Sequence, residues 1–340
     1  MNKKTFLLIT ILLAVPAAYF LLQKDIDTNT ELSPEHYSIK NLEQIDKIFI
    51  SENNTKDFAL LTKDNNNVWR VNKNWVVNES RMRILLETIR DIRVKYEVDP
   101  SAQKAILGRI AASGVKTMIY SGDKLLKAYF IGTPTSNMLG TYIAEQGSTR
   151  PAVVHIPGMN GFVSSRYFTD SIEWRNKNIF NFPSENIAEL RVEWPENLND
   201  NFTIEYTGSE VKLLGPGGQE VKGYNKLKTK SFLKLFMVYE KNNLSCEGFH
   251  KRFSKEKVDS IAKQTPYFIV SLKQKNGTAK ELKLYKKPIQ VNTYDAYNDQ
   301  GELMEYEIDK YWGIQDDEDM VMEIQDLVFS RIMKTNRDFE

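Results

Sequence analysis

One pattern of apolar runs occurs twice along this chain, and that repetition limits the fold more than any other feature. From Ile45 the runs are Lys47-Ile48-Phe49-Ile50, Phe58-Ala59-Leu60-Leu61 and Val68-Trp69-Arg70-Val71. From Ile187 they are Leu190–Trp194, Phe202–Tyr206 and Val211–Leu214. Both sets are short stretches of strand-forming residues parted by polar or glycine turns. Asp64–Asn67 and Gly215-Pro216-Gly217-Gly218 supply turn chemistry, not ligand loops. A helix is predicted next in each copy. Met82, Leu85, Leu86, Ile89 and Ile92 make one apolar stripe behind Asn78 as N-cap, and Phe232, Leu235, Phe236 and Tyr239 make the other, with Thr229 or Ser231 as cap.

Second helices are expected at Ser101–Ala112 and Ser254–Lys263. Strands then return at Val115–Tyr120, Leu125–Ile131 and Tyr142-Ile143, matched by Phe268–Leu272, Leu282–Tyr285 and Tyr306–Ile308. Amphipathic helical stretches near Met159–Phe168 and Met320–Met333 close the copies. Three strands, two helices, three strands and a helix is an α+β order, because a doubly wound sheet would alternate strand with helix. The expectation is therefore two tandem, duplicated domains of antiparallel strands with inserted helices. They cover 41–182 and 183–340, with the boundary near Asn181-Phe182-Pro183-Ser184. A length of 340 residues suits two domains.

The first 24 residues set the expected address. Lys3 and Lys4 precede the uncharged run Thr5–Leu22, which as a helix spans roughly 27 Å, enough for the hydrocarbon core. Two readings compete. The run is a retained transmembrane anchor through residues 5–22, or a signal peptide cut near Val15–Ala18. Tyr19-Phe20-Leu21-Leu22 continues the apolar run past that point and favours the anchor. No cysteine lies nearby for a lipid anchor. Either way the lysines stay in the cytoplasm and the bulk of the chain is exported. Residues 25–40 (DIDTNTELSPEHYSIK) read as a polar tether.

Composition removes several function classes. Lys plus Arg (46) nearly equals Asp plus Glu (45), so no broad positive field exists to hold nucleic acid. Cys246 stands alone, which rules out an intrachain disulfide framework and a multi-cysteine zinc site. The chain has no Gly-x-Ser-x-Gly elbow, P-loop or His-Glu-x-x-His pair, so no catalytic, metal or cofactor residues are assigned.

Bland readings are preferred for the remaining clusters. Cys246 and His250 have the spacing of an incidental pair. Asp295–Glu302 fails the calcium-loop pattern at Tyr297 and Gln300, and Asn298–Gly301 reads as a hairpin turn. Asp316–Asp319 suits the N-terminus of a last helix. Lys222, Lys226, Lys228, Lys230 and Lys234 form a solvated basic face. Tyr294, Tyr297, Tyr306, Tyr311 and Trp312 crowd one stretch. Of these, Tyr294, Tyr297, Tyr311 and Trp312 are the candidate ligand or partner surface, with cross-strand packing as the alternative.

Val68-Trp69-Arg70-Val71, Asn78 with Met82–Ile92, Phe130-Ile131-Gly132 with Tyr142, and Trp174-Arg175-Asn176-Lys177-Asn178-Ile179-Phe180 together resemble a family of uncharacterised bacterial proteins, domain of unknown function 4340. The likeness runs over about residues 45–310 and includes the N-terminal membrane segment. The resemblance brings no catalytic residues. It implies an accessory role beside ABC-type export or gliding-associated components. The expectation is thus a non-enzymatic binding or scaffold protein, single-pass in the inner membrane, with its bulk on the periplasmic or extracytoplasmic side and a transporter-type membrane protein as partner. The alternative is a module that binds a small molecule or glycan in a cleft between the repeats. An alkaline phosphatase reporter fused after Lys40 is expected to be active; a silent reporter at normal expression would overturn export.

Overall fold

The computed structural model describes residues 31–52, 55–180, 183, 186–237, 244–289, 296–298, 300–315 and 320–340. The expected anchor at 5–22 lies outside them, and so do Tyr294 and Asp316–Asp319. Among the described residues no helix is long and apolar enough to cross a membrane. The chain divides into two compact units, ending and beginning at Asn176 and Lys177. Both are mixed α+β with fully antiparallel sheets.

The first unit contains β1 (Lys47–Glu52), β2 (Phe58–Lys63), β3 (Trp69–Val71), β4 (Trp75–Val76), α1 (Glu79–Asp91), β5 (Arg93–Glu97), α2 (Pro100–Ser113), β6 (Val115–Ser121), β7 (Lys124–Pro134), β8 (Thr141–Glu145) and β9 (Ala152–His155). Its nine-stranded sheet has the order β4-β3-β2-β1-β6-β7-β8-β9-β5. The second unit contains β10 (Ile187–Glu193), β11 (Phe202–Tyr206), β12 (Val211–Leu214), α3 (Lys226–Lys234), β13 (Gly248–Phe249), α4 (Lys255–Ala262), β14 (Phe268–Gln274), β15 (Ala279–Pro288), β16 (Tyr306–Gln315), β17 (Met322–Gln325) and α5 (Asp326–Phe329). Its order is β12-β11-β10-β14-β15-β16-β17-β13, the same connectivity without a counterpart of β4.

Alternation places the core. Ile48 and Ile50 of β1 face inward against Leu61 and Ile119, while Phe49 faces the other side. Met82, Leu85 and Ile89 bring α1 onto that inner face. Ile106 and Ile110 place α2 on the opposite face, over Phe130, Tyr142 and Val153. The second unit is layered likewise, with Phe232 and Leu233 of α3 in the main core and Ile261 of α4 on the outer face. Gly132 allows the close approach of α2. A Cβ there would lie 2.8 Å from Ile110 Cγ1 and 3.2 Å from the Tyr142 carbonyl oxygen.

The two units also share a closing device. Asn78 caps α1, its side chain accepting from Arg81 N, and its own N–H donates to the carbonyl of Trp174 at 2.7 Å. Asn225 caps α3, accepting from the N–H groups of Leu227 and Lys228, and its N–H donates to the carbonyl of Phe339 at 2.6 Å. Trp174 and Phe339 each end a 3-10 turn, Ser171–Trp174 and Asn336–Phe339. The cap of α3 is therefore Asn225, not Thr229 or Ser231. Thr229 is buried inside the helix, with its hydroxyl donating to the Asn225 carbonyl.

Other expectations are corrected. A strand, β5 or β13, lies between the two helices of each unit and forms the sheet edge beside the last strand. Paired on one side only, these edges need no long apolar run. The stretch Met159–Phe168 is irregular, with a 3-10 turn at Ser164–Arg166. In the last stretch, Met322 and Ile324 alternate with Glu323 and Gln325 to make β17, and only one helical turn follows. Residues Leu32–Ile39 are not free tether. Tyr37 is 1% exposed in the first core, Val94 N–H donates to the Pro34 carbonyl, and Ile39 N–H donates to the Ile89 carbonyl. Lys177–Phe180 is held by the second unit, where Ile179 and Phe180 enter the core.

Removing either closing aromatic ring is expected to act locally. Trp174→Ala should cost the first unit about 3–5 kcal/mol, and Phe339→Ala a similar amount in the second. Hydrogen exchange should report faster opening only in the unit that lost its ring.

Candidate functional site

A groove of about 440 Å³ lies in the first unit, between α1 and the hairpin of β3 and β4. Its apolar lining comes from Leu42, Val68, Trp69, Val76, Met82 and Leu86. The helix contributes a charged rim of Glu79, Arg83, Glu87 and Arg90. Arg83 lies 3.6 Å from Glu87, and Arg90 makes two hydrogen bonds to Asp91 at 2.8 and 2.7 Å. Those partners leave the rim close to neutral.

Local chemistry fixes the hairpin wall. Asp64 Oδ1 accepts from the N–H groups of Asn66 and Val68, while Asp64 Oδ2 accepts from Arg70 Nε at 2.7 Å. The Arg70 bond, then the backbone N–H groups, hold the Asp64 carboxyl below its usual range. Arg175 pairs across from Val77, and its guanidinium lies 5.1 Å from the Trp75 ring centre. Asn72 and Lys73 take left-handed φ values of 50° and 65° at the hairpin tip.

A second feature lies on the outer face of the second sheet. Glu323 of β17 accepts from Lys310 Nζ at 2.8 Å and Lys287 Nζ at 2.9 Å, and His250 Nε2 is 3.3 Å from its second oxygen. Lys287 also pairs with Glu307 at 3.2 Å, and Lys310 with Glu247 at 3.3 Å. Burial works against the Glu323 charge, but the bonds from Lys310 and Lys287 outweigh it and bring the carboxyl down to about 2. Lys310 is pushed up, chiefly by its bond to Glu323. Burial pushes His250 down, and the attraction of Glu323 offsets this only in part. The imidazole stacks on Phe253 at 4.6 Å, beside Trp312. These charges sit where the first unit is apolar: its outer face carries Tyr142 opposite Val153, whereas the second has Trp312 opposite Glu323.

A family profile described as Domain of unknown function (DUF4340) matches residues 69–245. The chain belongs to this family. No curated protein and no solved structure matches it. The DUF4340 profile begins at Trp69, in the groove wall, and ends just before Cys246, so it takes in α1 and the junction of the units. Within it, Trp174 is fully buried in the first core, its indole N–H donating to the Phe168 carbonyl at 2.8 Å. Asn176 N–H donates to the Val76 carbonyl at 2.8 Å. This run, prominent in the DUF4340 resemblance, is thus structural on the side of the first unit.

The sequence-predicted candidates separate. Tyr311 and Trp312 are neighbours on β16 and face opposite sides of the sheet. Tyr311 stacks on Tyr267 at 5.6 Å and donates to Asp326 at 3.1 Å, while Trp312 is buried in the outer cluster. Tyr297 is exposed and bridges to Leu303 across the turn Asn298–Gly301. Cys246 is buried in the main core, whereas His250 is on the outer face, so they do not form a reactive pair. Lys226 pairs with Glu210, and Lys228 and Lys230 donate to the carbonyls of Glu340 and Ser209. Among the described residues no group of three or more His, Cys, Asp or Glu side chains could hold a metal ion.

Sequence reading missed the groove and the Glu323 cluster. The available signal for the cluster was period two: Lys310, Trp312 and Ile314 share one face of β16, opposite Glu323 of β17.

Glu323 gives a signed pH prediction. Its carboxyl is depressed in the fold, so its stabilisation is full above the ordinary value of 4.5 and is lost as pH falls toward about 2. Glu323→Gln should lower neutral-pH stability by about 2–3 kcal/mol, because two lysines lose the carboxylate they share and keep only Glu307 and Glu247. Denaturant midpoints of the variant should be flatter over that acid range.

Proposed function

We propose that this DUF4340 member is a membrane-tethered, non-enzymatic binding or scaffold protein whose two units are copies of one duplicated fold. The groove of the first unit takes an apolar segment of a membrane-protein partner of transporter type. The single observation that carries this reading is the groove itself, an apolar trough about 440 Å³ in volume with a rim of two carboxylates and two guanidinium groups. A neutral rim around exposed Val68 and Val76 suits an apolar peptide better than a charged ligand.

The duplication reading is supported by the shared strand order and by the matching contacts of Asn78 with Trp174 and Asn225 with Phe339. Tethering is supported by the positively flanked run Thr5–Leu22. A tether of this kind raises the effective concentration of the groove for a membrane partner without any new contact. The bulk of the chain then lies on the extracytoplasmic side.

The test uses the full chain with a photo-crosslinking residue in place of Val76, followed by detergent extraction. A discrete heterologous product is expected, and it should disappear in the Val68→Asp chain although that chain unfolds at the same denaturant concentration. Recovery of the chain alone under repeated mild crosslinking would count against the scaffold.

A further inference from the structure

The first unit carries a second exposed apolar surface, away from the groove. Met138 and Leu139, in the turn between β7 and β8, are 51% and 45% exposed, and Tyr96 on the edge strand β5 is 50% exposed. This turn is held in place by its own hydrogen bonds. Thr135 N–H donates to the Gly140 carbonyl at 3.0 Å, and Met138 N–H donates to the Thr135 carbonyl at 2.8 Å. Asn137 Oδ1 accepts from the Thr135 hydroxyl at 2.7 Å and from Leu139 N–H at 3.1 Å. Met138 is held at a φ of 61°, a conformation uncommon for a side chain of that size. The backbone thus holds two large apolar side chains out in water.

The same edge receives the N-terminal chain. Val94 of β5 donates to the Pro34 carbonyl at 2.8 Å, and Leu32 N–H donates to Glu97 Oε1 at 2.8 Å. Glu97 is held in turn by Arg150 at 2.6 Å. Between those two points on β5, Lys95 Nζ donates to the Leu139 carbonyl at 3.2 Å, which ties the exposed turn to this strand. Only residues 23–31 separate the apolar run Thr5–Leu22 from Leu32, a reach of roughly 30 Å at full extension. A bilayer holding that run can lie no farther than this from the β5 edge.

We propose that the β5 edge faces the phospholipid bilayer in which the chain is tethered, with Met138 and Leu139 entering its interfacial layer. Tyr96 lies at headgroup level, as aromatic side chains do at membrane interfaces, and the Lys95 ammonium meets lipid phosphate. The inference rests on the tethered reading above and adds an orientation to it: the first unit is docked on the membrane by a defined edge instead of tumbling at the end of a linker.

The test places the full chain in vesicles of phosphatidylethanolamine and phosphatidylglycerol. An environment-sensitive fluorophore is attached at Leu139→Cys or Tyr96→Cys, or at Phe58→Cys on β2 as a control. Native Cys246 is buried, so the label goes to the introduced thiol. Lipids with a spin label near the headgroup are expected to quench positions 139 and 96 at least twofold and to leave position 58 unchanged. If the chain floats with vesicles after an alkaline wash but position 139 is quenched no more than position 58, the docked edge is overturned and tethering stands. If the chain does not float at all, tethering fails and the docked edge fails with it.

Discussion

In each unit the strand between the two helices pairs at the far edge of the sheet from the hairpin that precedes it, and this crossing determines the rest of the layout. After β4 the chain has to reach β5, at the opposite end of a nine-stranded sheet, and it does so with α1 lying across the inner face. It then returns from β5 to the sheet centre at β6 with α2 on the outer face. One crossing thus covers each apolar face, and a sheet with two apolar faces requires both. The second unit solves the same problem with α3, β13 and α4. Where the first crossing helix of each unit begins is fixed by a capping asparagine, bonded through its backbone to the carbonyl of the unit's closing aromatic.

The two units use this shared frame differently. In the first, the outer face is apolar under α2, and the concavity lies where α1 passes the hairpin. In the second, the outer face beside α4 carries Glu323 with Lys287, Lys310 and His250. A half-buried charge is best tolerated when opposite charges surround it, and Glu323 has two lysines within 3 Å. The DUF4340 profile covers most of the groove wall, though not Leu42 or Val68, takes in the junction of the units, and stops short of this ion cluster. The groove and the charge cluster of the second sheet therefore belong to separate parts of the chain.

Much of the local structure was legible in the sequence. The first three strands of each copy, the stripe of α1, the Asn78 cap, the helices at α2 and α4, and the turn at Asn298–Gly301 all follow from spacing and turn chemistry. β5 and β13 were not legible, because a short edge strand is paired on one side and needs little apolar sequence. β17 looked helical because its apolar residues run directly into those of α5, so the change of period from two to about four passes unnoticed. Tyr37 and Ile39 looked like linker because two apolar residues in a polar stretch give no periodicity; their burial is decided by Ile89 and Tyr129 far along the chain.

The sequence by itself determined the alternation, the helix stripes, the repetition and the near-neutral charge, because each is a property of neighbouring residues or of their sum. Tertiary structure alone decided that Tyr311 and Trp312 part to opposite faces, that Cys246 is kept from His250, that Val68 and Val76 share a trough with Leu86, and that Lys287, Lys310 and Glu323 converge. The reason is register. Which residues of two distant strands come to lie opposite one another depends on pairing across the sheet, and no local run of sequence records that pairing.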